Sequence, residues 1–233
     1  YVLLNYQGTL DHVFTLAHEM GHALHSYYSD SNQSYINAGY KIFVAEVAST
    51  CNESLLIHYL LKNTDDKAEK AYLINHFLEQ FKGTLYRQTM FAEFEKITHK
   101  MVEEGETLTS DILCKVYYDL NKQYFGEDMV LDEEIALEWA RIPHFYNPFY
   151  VYQYATGISA AIALSKKIME QGEAGVKDYM KFLTGGGSKD PIELLKLAGV
   201  DMTTKEPIEK ALELFKELLD QMEQSFLSID TNA

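Results

Sequence analysis

The sequence of 233 residues has few cysteines, few prolines and no long apolar run. Its two cysteines, Cys51 and Cys114, are too few to cross-link a domain of this size, which indicates free thiols in a reducing, cytoplasmic environment. The chain has only four prolines, which is typical of long helices because proline interrupts a helix. No apolar run approaches the roughly 18 residues needed to cross a bilayer, so we expect no membrane partner.

Basic residues are scarce as well. Lys and Arg number 20 against 35 Asp and Glu, which gives a net charge of −15. Phosphate binding needs a basic stripe and none is visible, so we expect no nucleic-acid partner. Apolar residues nevertheless make up 47% of the chain, which favours a folded core over intrinsic disorder.

The residue pattern after position 8 predicts helices almost throughout the chain. The segment Tyr1–Gln7 has a strand-like composition, so the expected fold class is mainly α and multi-helical, with at most a short strand near the N-terminus. An apolar strand-like start with nothing upstream to pair with predicts a piece of a longer protein. The predicted helices cover residues 11–28, 41–61, 67–103 with a kink near Gly83, 109–124, 133–140, 148–171, 176–183, 191–198 and 205–227.

The motif His18-Glu19-Met20-Gly21-His22 lies in the first predicted helix. Residues four apart share one helix face, so His18 and His22 can offer both imidazoles to one metal ion. Glu19 lies about 100° further round the helix, where a general base can take a proton from metal-bound water. The alternative is that two core or surface histidines have this spacing by chance.

A catalytic zinc ion needs a third protein ligand. A third histidine six residues after His22 is excluded, because Tyr28 occupies that position. Glu46 is the strongest candidate, since it is a carboxylate among apolar residues of the next helix, where burial requires a cation beside it. A salt bridge from Glu46 to Lys41 is the alternative. Glu53, two turns further on, either hydrogen-bonds the far nitrogen of a ligand histidine or is solvated.

Three segments, HEMGHALH, FVAEVAST and HFYNPFYVYQYATG, resemble the catalytic region of the M3 family of metallopeptidases, and within it the oligoendopeptidase F type. The resemblance covers essentially the whole chain. It implies a multi-helical, zincin-like single catalytic domain over residues 1–233, the C-terminal portion of a longer peptidase. The resemblance implies that His18, His22 and Glu46 are zinc ligands and that Glu19 is the general base. It also implies supporting roles for Glu53 and His25.

The segment from His144 to Tyr154 contains one imidazole and four tyrosine phenols. Such groups can donate hydrogen bonds to an oxyanion, although a tyrosine-rich stripe also serves packing. The family resemblance implies that this region faces zinc and substrate. It makes His144 and Tyr154 candidate catalytic residues and Tyr150 and Tyr152 candidate substrate-binding residues.

The sequence therefore predicts a zinc-dependent endopeptidase that hydrolyses short oligopeptides with one Zn²⁺ per chain. In the expected mechanism zinc activates a water, and Glu19 takes its proton and passes it to the leaving amine. Another zinc peptidase, such as a carboxypeptidase, and a helical metal- or peptide-binding fragment with little activity remain as alternatives. Absence of the N-terminal portion predicts an apolar surface and self-association.

Overall fold

The computed structural model describes the backbone of residues 1–230 and the side chains of residues 1–225. Over residues 1–230 it contains ten α-helices and no β-strand, which confirms the mainly α fold class. No helix in this range is long and apolar enough to span a membrane. The helices are α1 (Leu10–Asn32), α2 (Tyr35–Ala38), α3 (Ile42–Asn63), α4 (Lys67–Gln80), α5 (Arg87–Glu103), α6 (Ser110–Phe125), α7 (Tyr152–Gln171), α8 (Glu173–Leu183), α9 (Pro191–Leu197) and α10 (Glu206–Asp230).

The helix predicted over residues 67–103 is interrupted where the sequence places Gly83. A π-helical turn, Phe81–Tyr86, separates α4 from α5. Because glycine has the largest backbone freedom, it favours such an irregular turn inside a long helix. Two 3₁₀ helices, Glu133–Arg141 and Pro143–Tyr146, stand where the sequence predicted one short helix and a loop.

The N-terminal residues 1–7 form no strand and are mostly exposed. A strand needs a partner for its backbone N–H and C=O groups, and residues 1–230 contain no strand. The first helix begins after Thr9, whose side chain accepts a hydrogen bond from the His12 backbone N–H at 3.4 Å.

The described chain divides into two compact units. Unit 1 comprises Tyr1–Phe81 and Thr156–Ala233, and unit 2 comprises Lys82–Ala155. Two compact units can belong to one catalytic domain or to two. The single catalytic domain over residues 1–233 therefore stays a prediction.

The core of unit 1 is built on α3. This helix buries residues on most of its circumference, because α1, α7 and α8 supply apolar neighbours on different sides. Its buried core residues are Val44, Val47, Ala48 and Cys51, which lie in one cluster with Ala160, Ala161, Leu164, Phe182 and Leu195.

Gly21 lets α1 approach α3 at backbone contact. A Cβ atom at position 21 would lie 2.5 Å from the Ser49 Cα atom and 2.8 Å from the Ala48 carbonyl oxygen. Both are backbone atoms of a buried helix and cannot move aside as a flexible side chain would. The contact is completed by the Asn52 side-chain amide, which donates to the Ala17 carbonyl oxygen of α1 at 3.2 Å. Only glycine fits at position 21 of this helix pair.

The glycines at 185–187 form a packed turn. A Cβ atom at Gly186, whose φ is +51°, would lie 2.3 Å from the Asn37 carbonyl oxygen. The Gly187 N–H donates to that same carbonyl at 2.7 Å. The turn is therefore bound to the connection between α1 and α3, which supports a structural role for these glycines.

Unit 2 has its own apolar core and one buried ionic cluster. Its core comprises Met90, Phe91, Phe94, Tyr117, Leu120, Ile142 and Val151. Within it, the Glu138 carboxylate accepts hydrogen bonds from Arg87 and Arg141 at 2.5 Å each and from the Tyr117 hydroxyl at 2.6 Å. Burial raises the pKa of Glu138, but these three partners outweigh burial and hold the pKa below its usual value.

We predict that Gly21→Ala lowers the free energy of unfolding by about 1–3 kcal/mol or more, because the added methyl group forces α1 away from α3. Urea unfolding followed by circular dichroism measures the change. Gly83→Ala is the matched control, since a Cβ atom there meets nothing within 4 Å and a helical Gly→Ala change is expected to alter stability by at most about 1 kcal/mol. Equal effects of the two substitutions would contradict the backbone contact.

Candidate metal centre and tyrosine cluster

Helices α1 and α3 bring three candidate metal ligands of unit 1 together. His18 and His22 lie one turn apart on α1, with ring centroids 4.8 Å from each other. The Oε2 atom of Glu46, on α3, lies 3.3 Å from His18 Nε2 and 3.8 Å from His22 Nε2. Three ligand atoms, one from each residue, all lie within 4.8 Å of one another. The sequence-predicted ligand set is thus assembled by the contact between α1 and α3.

A chain of hydrogen bonds fixes the orientation of the His18 ring. Its Nδ1 atom lies 2.5 Å from Glu53 Oε1, so Nε2 is the nitrogen turned towards Glu46. The Gln80 amide, at the end of α4, donates to the other oxygen of Glu53 at 2.5 Å. Outer residues of this kind fix the tautomer and orientation of a histidine ligand. Sequence analysis predicted a role for Glu53 but not for Gln80, because one glutamine in a helical pattern carries no recognisable signal.

The electrostatics of this cluster favour a bound cation. Burial lowers the pKa of His18, but its contacts with Glu46 and Glu53 outweigh burial and raise the pKa to about 10. Burial likewise raises the pKa of Glu46, and the adjacent histidines reverse this and hold the pKa below its usual value. Two carboxylates around one imidazole thus create a site that attracts positive charge. Nitrogen and oxygen donors in this combination suit a divalent metal ion.

The alternative salt bridge from Glu46 to Lys41 is not formed. Lys41 Nζ instead lies 3.4 Å from Asp190 Oδ1. Glu46 accepts a hydrogen bond from the Ser49 hydroxyl, which is 3.3 Å from Oε2. Helix α7 approaches Glu46 at Gly157, where an added Cβ atom would lie 3.4 Å from the Glu46 Cβ atom.

Glu19 lies between the two histidines on α1 and is half-buried. Within the part of the chain that the structure describes, its carboxylate has neither a hydrogen-bond partner nor an ion-pair partner. A carboxylate that is reachable by solvent and held by no neighbour is able to accept a proton from water. This arrangement is what a general base beside the donors requires.

His25 is completely buried one turn after His22. Its ring stacks on Tyr40 with centroids 3.7 Å apart, and both ring nitrogens lack a hydrogen-bond partner among the described residues. Burial lowers its pKa to about 4, with a smaller contribution from His22, so the ring is neutral. No hydrogen bond links His25 to a candidate ligand, and its supporting role at the metal stays a prediction.

Three of the four predicted aromatic-segment residues form a cluster in unit 2. The Tyr150 and Tyr154 hydroxyls are 3.0 Å apart, and the Tyr154 hydroxyl lies 3.5 Å from His144 Nε2. The His144 ring stacks on Tyr150 with centroids 5.3 Å apart. These residues form the tyrosine cluster, a connected set of phenol and imidazole groups that can donate hydrogen bonds. Tyr152, the fourth, begins α7 with its side chain largely accessible.

Glu95 is a further residue that sequence reasoning missed. It lies on α5, is 4% exposed, and its Oε1 atom accepts the Phe149 backbone N–H at 2.9 Å. Glu95 follows Phe94 but is itself followed by Lys96, so its local sequence lacks the run of apolar neighbours that identified Glu46.

Comparison with known proteins relates this chain to a family of peptidases. The model of Peptidase family M3 matches residues 1–214. Oligopeptidase PepF of Bacillus subtilis (strain 168) is 55% identical over 229 residues, which are 98% of this chain and 34% of that protein. The chromosomal oligoendopeptidase F of Lactococcus lactis subsp. cremoris is 45% identical over 224 residues, 96% of this chain and 37% of that protein.

The crystal structure of oligoendopeptidase F from Enterococcus faecium has a similar fold. It superposes with a TM-score of 0.83 at 46% identity, over 93% of this chain and 39% of that one. The present chain therefore spans about a third of the length of the curated relatives it matches.

Proposed function

The chain belongs to peptidase family M3, and from this premise we propose that it carries the catalytic centre of a zinc-dependent endopeptidase that hydrolyses short oligopeptides. The observation that carries the proposal is the cluster of His18, His22 and Glu46 with the unpartnered carboxylate of Glu19 beside it. Two unpaired thiols, Cys51 and Cys114, support the proposal that it works in the reducing cytoplasm.

One zinc ion per chain would be held by His18 Nε2, His22 Nε2 and a carboxylate oxygen of Glu46. When bound, zinc supplies Lewis-acid chemistry, polarising the scissile carbonyl and lowering the pKa of water towards about 7. Three protein ligands leave a position open, which distinguishes a catalytic site from a structural site closed by four. Glu53 and Gln80 hold the His18 ring so that its Nε2 atom stays turned towards Glu46, where it would be available to the ion.

Glu19 acts as the general base in this proposal. Its carboxylate takes a proton from the attacking water and later gives that proton to the leaving amine. Among the described residues no donor or cation holds the Glu19 carboxylate, which leaves it available for both transfers. Substituting an amide at this position removes the base and keeps the shape of the side chain.

His144 and Tyr154 serve as hydrogen-bond donors to the oxyanion, and Tyr150 and Tyr152 contact the substrate. This part of the proposal rests on the family resemblance and on the hydrogen bonds within the tyrosine cluster. A donor directed at charge that develops in the transition state contributes to kcat rather than to substrate binding.

We predict that Glu19→Gln and Glu46→Gln fail in different ways. Glu19→Gln should retain zinc and lose nearly all turnover, whereas Glu46→Gln should lose zinc affinity because a charged ligand is removed. Metal analysis of each purified variant is paired with hydrolysis of a fluorogenic peptide blocked at both ends. Cleavage of the blocked peptide by the parent excludes a carboxypeptidase.

Two results would overturn these roles. Turnover of Glu19→Gln within tenfold of the parent would remove Glu19 as the base. Tight retention of one zinc ion by Glu46→Gln would remove Glu46 as a ligand. If the parent binds zinc and peptide but does not cleave, the alternative of a binding fragment with little activity is correct.

We predict that Tyr154→Phe lowers kcat by about 10²–10³, equivalent to about 2.7–4 kcal/mol, with KM and zinc content unchanged. Only the hydroxyl is removed, so packing is preserved. Steady-state kinetics at saturating peptide measure the effect, and Tyr72→Phe, an exposed tyrosine of α4, is the control. A kcat within threefold of the parent would assign Tyr154 to packing.

We also propose that the chain self-associates through an apolar stripe on α1. The stripe consists of Leu16, Met20, Leu24 and Tyr27, which recur at helical spacing and are each between 38 and 65% exposed. Contiguous apolar surface of this kind drives association in water. Sedimentation velocity over a wide concentration range should show dimers or larger species that Leu16→Lys with Leu24→Lys abolishes. A monomer at every concentration would contradict the proposal.

A further inference from the structure

The backbone at Phe149 has an unusual conformation. Its φ is +59°, and among the described residues no other non-glycine residue has a positive φ. The left-handed region is unfavourable for a side chain of this size, so the surrounding structure must hold it there. Burial of the ring is not the restraint, because Phe149 is 53% exposed.

Two side chains of α5 hold Phe149. Glu95 Oε1 accepts its backbone N–H at 2.9 Å, and the His99 ring, one turn further along the same helix, lies 4.7 Å from its ring centroid. Glu95 is 4% exposed, and its Oε2 atom is buried without a hydrogen-bond partner. Burying a carboxyl group with one oxygen unsatisfied is unfavourable. The hydrogen bond from the Phe149 N–H to Glu95 Oε1 offsets part of this unfavourable burial.

The restraint at Phe149 acts directly on the next residue. Tyr150 lies between Phe149, which is bound to Glu95, and Val151, which is fully buried in the core of unit 2. The Tyr150 N–H bonds to the Asn147 carbonyl at 3.3 Å, which closes the turn. A change of φ at Phe149 would therefore change the direction of the Tyr150 ring, because Val151, on the other side of Tyr150, is packed in the core.

Tyr150 in turn positions the rest of the tyrosine cluster. Its ring stacks on His144, with an interplanar angle of 19°, and its hydroxyl is 3.0 Å from that of Tyr154. We propose that Glu95 is a positioning residue, which holds Phe149 in the left-handed conformation and thereby sets the Tyr150 phenol against Tyr154 and His144. The proposal rests on the role proposed for those two residues in catalysis.

The test compares two variants of Glu95 in the complete protein. Glu95→Gln keeps an oxygen that can accept the Phe149 N–H, whereas Glu95→Leu removes it and keeps a buried side chain. Glu95→Leu should lower kcat by about 10- to 100-fold with zinc content unchanged, as expected when a catalytic group is misplaced by about 1 Å. KM should rise as well, because Tyr150 contacts the substrate in the proposed function. Glu95→Gln should stay within about threefold of the parent in kcat. Equal kcat for Glu95→Leu and the parent would overturn the proposal.

A second substitution tests the backbone argument itself. Asparagine tolerates positive φ far better than phenylalanine. Phe149→Asn should therefore restore most of the kcat lost in Glu95→Leu. No recovery of kcat in the double variant would show that the conformation at 149 is not what Glu95 supplies.

Glu93→Leu is the matched control for an effect on stability alone. Glu93 lies two residues away on α5, and its carboxylate accepts a hydrogen bond from the Tyr124 hydroxyl at 3.0 Å. This variant should lower the melting temperature and leave kcat of the folded enzyme unchanged. A kcat loss equal to that of Glu95→Leu would assign Glu95 to general stability and overturn the proposal.

Hydrogen exchange at the ¹⁵N-labelled Phe149 amide gives a readout that needs no activity. Protection should fall at least about tenfold in Glu95→Leu and persist in Glu95→Gln, because only the former leaves the N–H without an acceptor. If Tyr154→Phe proves inert while the exchange result holds, the proposed donor role fails and the Glu95 restraint stands. Unchanged protection in Glu95→Leu would overturn the restraint itself.

Discussion

The backbone contact between α1 and α3 at Gly21 is the constraint on which the candidate metal centre depends. Two candidate ligands come from one helix and the third from another, so the distance between the helix axes sets the distance from imidazole to carboxylate. With α3 enclosed by apolar neighbours and no Cβ atom at Gly21, the two helix backbones meet in hard contact, which fixes that separation. The 3.3 Å from His18 Nε2 to Glu46 Oε2 follows from it.

The two carboxylates around His18 are followed by a neutral side chain, not by a further charge. Glu46 and Glu53 both approach His18, and Gln80 binds the oxygen of Glu53 that faces away from the histidine. A neutral amide can occupy that place without adding to the negative charge, whereas a third carboxylate would repel the other two. In unit 2 the negative charge of the Glu138 carboxylate is instead compensated by two cations, Arg87 and Arg141.

Sequence reasoning succeeded where a local pattern carries the chemistry. The mainly helical fold and the M3 resemblance are confirmed. The spacing in the HEMGH motif and one carboxylate in an apolar run led to His18, His22 and Glu46, which the fold brings together, while their roles and that of Glu19 stay predictions. Sequence reasoning failed where the information lies in tertiary contacts. Gln80 and Glu95 act through partners 27 and 54 residues away, and nothing in their own neighbourhood specifies those partners. The strand-like segment Tyr1–Gln7 has no strand to pair with in residues 1–230, so composition alone misjudged it.

The two middle positions of the HEMGH motif are not equivalent. Met20 is 43% exposed and touches solvent, so its identity is nearly free as far as the fold is concerned. Gly21 faces the backbone of α3, where an added Cβ atom would meet backbone atoms. Position 20 should therefore accept substitution without loss of folding stability, whereas position 21 should not. A search pattern that leaves both positions open describes the two histidines correctly but also accepts helices that could never come close enough to a third ligand.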